Sequence, residues 1–231
     1  MASRPVFIVT NDNKFCRKFN VEFEYFNGFS EKQQRRSIHS LHNEFNKIYP
    51  EKRVLEISSK SENELGVRLS AFNLFIKTKS GKEFSVESAF QASKVFENGG
   101  PFTDLLLVTS KQAKKDERLK SSGRVIAFKY GKRVFPTEPK TYFYNWLYIN
   151  ALHLYPQLAM DILKYEAFTD IAFNPQKSIN CQAEAAAIFV SLYKQGLLEK
   201  ALKDKDSFLE IVYSDNSVHG SSNNIQLNMF D

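Results

Sequence analysis

Glu87, Gln91 and Lys94 follow one another at i, i+4 and i+7. On a helix turning about 100° per residue, that spacing gathers a carboxylate, an amide and an amine within an arc of roughly 60°. Phe90 and Val95 flank the arc, while Ala89, Ala92 and Phe96 fill much of the opposite side. A carboxylate beside an amine can move protons, and a lysine amine withdrawn from water can act as a nucleophile. The same stripe also suits a surface helix with one wet face, and spacing alone favours that plainer use.

The elements around this stripe can be read from periodicity. Residues 5–10 and 21–26 alternate and are rich in β-branched and aromatic side chains, which predicts short strands. Ser30 with Gln33 three residues on forms an N-cap pattern ahead of Ile38, Leu41 and Phe45, so a helix is expected to run until just before Pro50. Strands are expected again over 54–58 and 70–77, the latter turning at Lys79 to Lys82 towards Glu83 and Phe84. Helices should dominate after Ser85, over 86–96, 110–120, 141–154, 156–165 and 182–195, with Gly196 as a C-cap and a short helix over 198–203. Beyond about Tyr213 the composition turns polar and cannot bury enough apolar area to order itself. The expected architecture is α+β: one helix-rich domain with a small N-terminal β portion and a flexible C-terminal tail.

With 42% hydrophobic and 14% aromatic residues, the 231-residue chain can build a sizeable core without disulfide or metal staples. Cys16 and Cys181 lie far apart, form no CxxC pair, and point to a reducing compartment. The histidines (His39, His42, His153 and His219) show no metal-ligand spacing, so neither metal nor cofactor is expected. No long apolar stretch marks a signal peptide or membrane span, which predicts a soluble, cytoplasmic protein. The net charge of +6 is local, because residues 111–140 hold ten basic side chains against three acidic ones. Such a window attracts phosphate polymers by counterion release, and Lys114, Lys115 and Arg118 are the candidate DNA contacts. A solvated lysine-rich face is the alternative. Trp146 could stack on a base, although core packing is the commoner use.

The hairpin from Phe72 and the segment from Glu87 to Phe96 resemble the hallmark of the NADAR (YbiA-like) family, with Glu87, Phe90, Gln91, Ala92, Lys94 and Phe96 in register. The likeness covers roughly residues 54–202, with residues 1–53 expected as an extension packed on a catalytic domain of 54–213. Segments beginning at Leu55, Leu69, Val86, Gly99 and Ala167 are similar to the subgroup associated with DarT-type DNA ADP-ribosyltransferase toxins. The resemblance implies an ADP-ribosyl N-glycosidase that removes ADP-ribose from guanine in DNA. ADP-ribosylated DNA would be its substrate, ADP-ribose its product, and the cognate toxin its functional partner. Two departures stand out: Ser88 replaces the usual histidine after the glutamate, and Ala71 stands where the wider family has asparagine.

On this resemblance Lys94 is the expected nucleophile, Glu87 the proton shuttle or cation stabiliser, and Asp170 the residue that orients the ribose hydroxyls. Substrate contacts are expected from Gln91, Asn73, Ser59, Lys60, Ser70, Phe72, Phe135, Phe173 and Asn180. Asp170 could equally be a turn or capping carboxylate. Two other readings compete: an N-glycosidase of a small, riboflavin-pathway-like ribosyl metabolite, and a non-catalytic immunity protein that binds ADP-ribose or DNA. Finally, Gln226, Leu227, Met229 and Phe230 resemble the short peptide with which bacterial replication and repair proteins bind the sliding clamp. Apolar groups closing a polar tail suggest a partner's pocket.

Overall fold

The structure is a computed structural model and describes residues 1–214, apart from 29, 79 and 177. The clamp-like residues 226–230 lie outside the described residues. In chain order the elements are β1 (Ala2–Val9), β2 (Cys16–Phe23), α1 (Glu31–Ile48), β3 (Val54–Glu56), α2 (Glu64–Arg68), β4 (Phe75–Lys77), β5 (Glu83–Ser85) and α3 (Val86–Ala92). There follow β6 (Lys94–Phe96), α4 (Ser110–Lys115), α5 (Arg118–Ser121), β7 (Val125–Tyr130), β8 (Arg133–Phe135), α6 (Tyr142–His153) and α7 (Pro156–Ile162). The chain continues through β9 (Ala167–Thr169), α8 (Gln182–Lys194), α9 (Leu198–Leu202) and α10 (Lys205–Tyr213). The fold is α+β, as expected.

Four strands form one sheet in the order β2-β1-β9-β3, with β9 antiparallel to β1 and parallel to β3. Alternation divides β1 between two cores. Val6 and Ile8 meet Ile38, Leu41 and Phe45 of α1, while Phe7 faces the main core with Leu55 and Phe168. Ser30 caps α1 as its pattern predicts, its Oγ accepting from the Gln33 amide at 3.4 Å. The main core is dominated by α6 and α8. Both are apolar on nearly every side, the pattern of a helix surrounded by other elements. Trp146 is part of this core, packed against Phe135 at 4.9 Å.

Helices dominate after Ser85, as expected, but four short strands interrupt them. The helix expected over 86–96 stops at Ala92, where Ser93 turns its hydroxyl back onto the Ala89 carbonyl at 2.7 Å. Lys94, Val95 and Phe96 then pair as β6 with β7, and β8 completes a second sheet. The helix expected over 110–120 is broken into α4 and α5, because Asp116 leaves helical geometry and its Oδ1 accepts from the Arg118 amide at 3.0 Å. The strand expected over 70–77 is confined to Phe75–Lys77; before it, Ser70 to Asn73 make a turn closed by the Asn73 amide on the Ser70 carbonyl at 2.8 Å. A further helix, α10, packs Phe208 and Val212 into the core.

Candidate active site

Helix α3 is set at its start by three separate fastenings. The Ser85 hydroxyl accepts from the Ser88 amide at 3.0 Å, the Val86 amide donates to the Leu74 carbonyl, and the Glu87 amide donates to the Ala71 carbonyl, each at 2.9 Å. Glu87 therefore leaves the helix at a fixed angle. It is only 6% exposed, and its Oε1 accepts from Gln91 Nε2 at 2.9 Å, the i, i+4 contact the sequence implies. Lys114 Nζ, arriving from α4, stands 3.7 Å from the same oxygen.

Lys94 enters from β6, one residue beyond the Ser93 turn, and its Nζ lies 4.9 Å from the centre of the Phe90 ring. Burial holds its amine below the usual lysine range; Lys114 pushes in the same direction and the Glu87 carboxylate opposes them. Asp170 follows β9. Its Oδ1 accepts from the Ala172 amide and its Oδ2 from Gln182 Nε2, both at 3.0 Å. Burial, reinforced by the neighbouring Glu56, raises the Asp170 carboxyl well above the usual range. The turn role and a place at the site thus coincide in one residue.

Glu87, Gln91, Lys94, Lys114 and Asp170 line one cleft of about 540 Å³, together with Phe72, Phe90, Tyr144, Phe173, Asn180 and Gln182. Carboxylates, a depressed amine and aromatic walls converge there, which is what an acid–base and nucleophilic site requires. A model of the DarT1-associated NADAR antitoxin family matches residues 2–222. The chain belongs to this family. Membership brings an antitoxin role and a DarT-type toxin as its counterpart. The match takes in the N-terminal strands, two of the four in the sheet whose strand β9 leads into Asp170. None of the curated proteins matches the chain.

Against this NADAR frame, the residues singled out from sequence divide into two sets. Glu87, Gln91, Lys94, Asp170, Phe72, Phe173 and Asn180 share the cleft. Ser59, Lys60, Ser70, Asn73 and Phe135 do not line it. The Asn73 amide donates instead to the Val67 carbonyl at 2.9 Å, Ser59 is exposed, and Ser70 and Phe135 are buried in the core. Ser88, at the position where the motif has histidine, donates to the Val108 carbonyl at 3.2 Å and is not among the lining residues.

The three basic candidates also separate. Lys114 belongs to the cleft, Lys115 is exposed on α4, and Arg118 is held by Asp104 at 2.6 Å and Asp116 at 2.9 Å. Sequence reasoning missed Tyr144 and Gln182. Tyr144 lay hidden in a run of aromatic core residues, and nothing local distinguishes Gln182 from a helix's first residue. Among the described residues, no group of three or more His, Cys, Asp or Glu side chains could hold a metal ion, and no helix is long and apolar enough to cross a membrane.

Proposed function

We propose that this antitoxin is an ADP-ribosyl N-glycosidase that removes ADP-ribose from guanine in DNA. The observation that carries the reading is the meeting, in one cleft, of a lysine with a depressed amine pKa, the buried carboxylate of Glu87 and the half-buried Asp170, whose carboxyl pKa is raised. Breaking a ribosyl–nitrogen bond leaves positive charge on the anomeric carbon and requires a proton on the departing base. The neutral amine of Lys94 attacks that carbon as the carbon–nitrogen bond to guanine breaks. Glu87 receives the proton that the new ammonium loses and passes it to the base. Ring opening gives an imine on Lys94; water adds to it, ADP-ribose is released, and the amine is restored. The Asp170 carboxyl holds the ribose hydroxyls. The diphosphate is drawn towards Lys114 and Lys140, which line the same cleft.

The test is an oligonucleotide carrying ADP-ribosyl-guanine. Wild-type protein should release ADP-ribose, and borohydride should trap an adduct at Lys94. Lys94→Ala and Glu87→Gln should each lose at least ~100-fold in rate, the order expected for a missing nucleophile or acid–base group. Folded protein that leaves the authentic substrate intact, or variants that still neutralise the toxin fully, would defeat the proposal. Turnover of a small ribosyl metabolite in place of the oligonucleotide would establish the competing enzyme.

A further inference from the structure

Helix α6 sends three tyrosines into the protein, and they use their hydroxyls differently. Tyr142 donates to the Lys205 carbonyl at 2.6 Å, and Tyr148 donates to the Leu69 carbonyl at 2.7 Å. Tyr144 is 5% exposed and lines the cleft, and its hydroxyl keeps some solvent contact and makes no hydrogen bond to another described residue. Its ring is fixed edge-on against Phe90 at 5.1 Å and stacked on Tyr148 at 6.4 Å. The ring is therefore rigid, and its hydroxyl is unmatched within the described protein. A rigid, unpaired donor on the wall of a cleft is free to bond a ligand that enters it.

We infer that Tyr144 is a substrate-binding residue whose hydroxyl donates a hydrogen bond to a ribose oxygen. This rests on the ADP-ribose reading above and specifies which part of the substrate the residue meets. The surroundings select a sugar. Glu87 and Asp170 lie close enough to Tyr144 to act on its phenol electrostatically, so a phosphate at this point would meet two carboxyl groups. A sugar hydroxyl both donates and accepts: it can give its proton to a carboxylate and take one from the phenol. Burial, with Glu87, Tyr148, Cys181 and Asp170 acting in the same direction, holds the phenol pKa far above its ordinary value. The residue is thus a permanent donor and not a base.

Tyr144→Phe is a clean probe, because it removes no hydrogen bond within the described protein and keeps the ring contacts. ADP-ribose and ADP, which lacks the terminal ribose, should be titrated against wild type and variant by calorimetry, with urea unfolding in parallel. The expected result is an ADP-ribose affinity about 5-fold weaker, as suits one lost hydrogen bond. ADP affinity and the unfolding midpoint should stay unchanged. An ADP-ribose affinity within twofold of wild type, an equal loss for ADP, or a lowered unfolding midpoint would overturn the assignment. Wild-type protein that fails to bind ADP-ribose at all would overturn the functional reading, and this inference with it.

Discussion

Replacing Gln182 by leucine should both loosen the fold and disturb the site. Gln182 is 8% exposed and ties three segments together. Its Oε1 accepts from the Ala71 amide at 2.6 Å, while Nε2 donates to the Ile57 carbonyl at 2.6 Å and to Asp170 Oδ2 at 3.0 Å. Leucine has a similar reach but cannot bond, so the Ala71 amide and the Ile57 carbonyl are left buried without this partner. At roughly 1–3 kcal/mol for each orphaned group, partly offset by the apolar side chain, the loss should be about 3 kcal/mol. Urea unfolding followed by circular dichroism measures it directly. Activity should fall as well, because the Ala71 carbonyl accepts the amide of Glu87 and any shift of this turn moves α3. Gln182→Glu separates the two functions of the amide. A carboxyl there must stay protonated to donate its single proton to either the Ile57 carbonyl or Asp170, and beside Asp170 its charged form is further disfavoured, so its folded pKa lies above the unfolded value. Stability should then be greatest in acid and decline as pH rises through about 4.5 and beyond. A leucine variant within ~0.5 kcal/mol of wild type would refute the reasoning.

Three further outcomes are expected. Lys111, Lys115 and Lys120 are exposed and form no ion pair among the described residues, so reversing all three to glutamate should weaken oligonucleotide binding and flatten its dependence on salt by roughly two to three log units per decade. Unchanged salt dependence would return these side chains to plain solvation. Burial, with His39 adding to it, lowers the His42 pKa to about 4 from 6.5, so the folded state keeps the ring neutral where the unfolded chain protonates it. That contribution is complete above pH 6.5 and lost as pH falls towards 4; by pH 5 the loss amounts to about 2 kcal/mol, and His42→Gln should unfold with correspondingly less acid sensitivity. A difference between wild type and variant that stays constant from pH 7.5 to 5 would count against it. Finally, a peptide of residues 221–231 should bind a bacterial sliding clamp at micromolar affinity, and Leu227→Ala with Phe230→Ala should abolish this while short oligonucleotides are still hydrolysed. Absence of peptide binding would remove the clamp from the account.

Much of the site was legible because its parts are local. Glu87 and Gln91 occupy one helix face at the spacing that lets them bond, and that relation needs no tertiary information. Lys94 reaches the cleft by a route that periodicity misreads. Helical spacing continues through Val95 and Phe96, whereas the Ser93 back-bond ends the helix and pairing with β7 takes over. A three-residue strand directly after a helix leaves too short a pattern to register, and its partner lies some 30 residues away. The β7–β8 hairpin carried a usable signal in Gly131, which adopts a positive φ of 59° between the two strands, but the surrounding lysines drew the reading towards charge. Gln182 and Tyr144 were beyond local reading altogether. Gln182 matters because its bonds reach back to Ile57 and Ala71, and Tyr144 because its hydroxyl finds no such bond.

The placement of β9 has a consequence in time. It pairs with β1 through Phe7 and Phe168, about 160 residues apart, and with β3 through Leu55 and Phe168. Contacts of such long sequence separation form late and slowly, since the intervening chain must first close as a loop. Asp170 emerges from that strand, and its amide partner belongs to α8, later still. A nascent chain that has already displayed Glu87 and Lys94 therefore has no finished cleft until β9 and α8 have left the ribosome. Protection against the toxin at any moment depends on copies completed earlier, not on those still being synthesised.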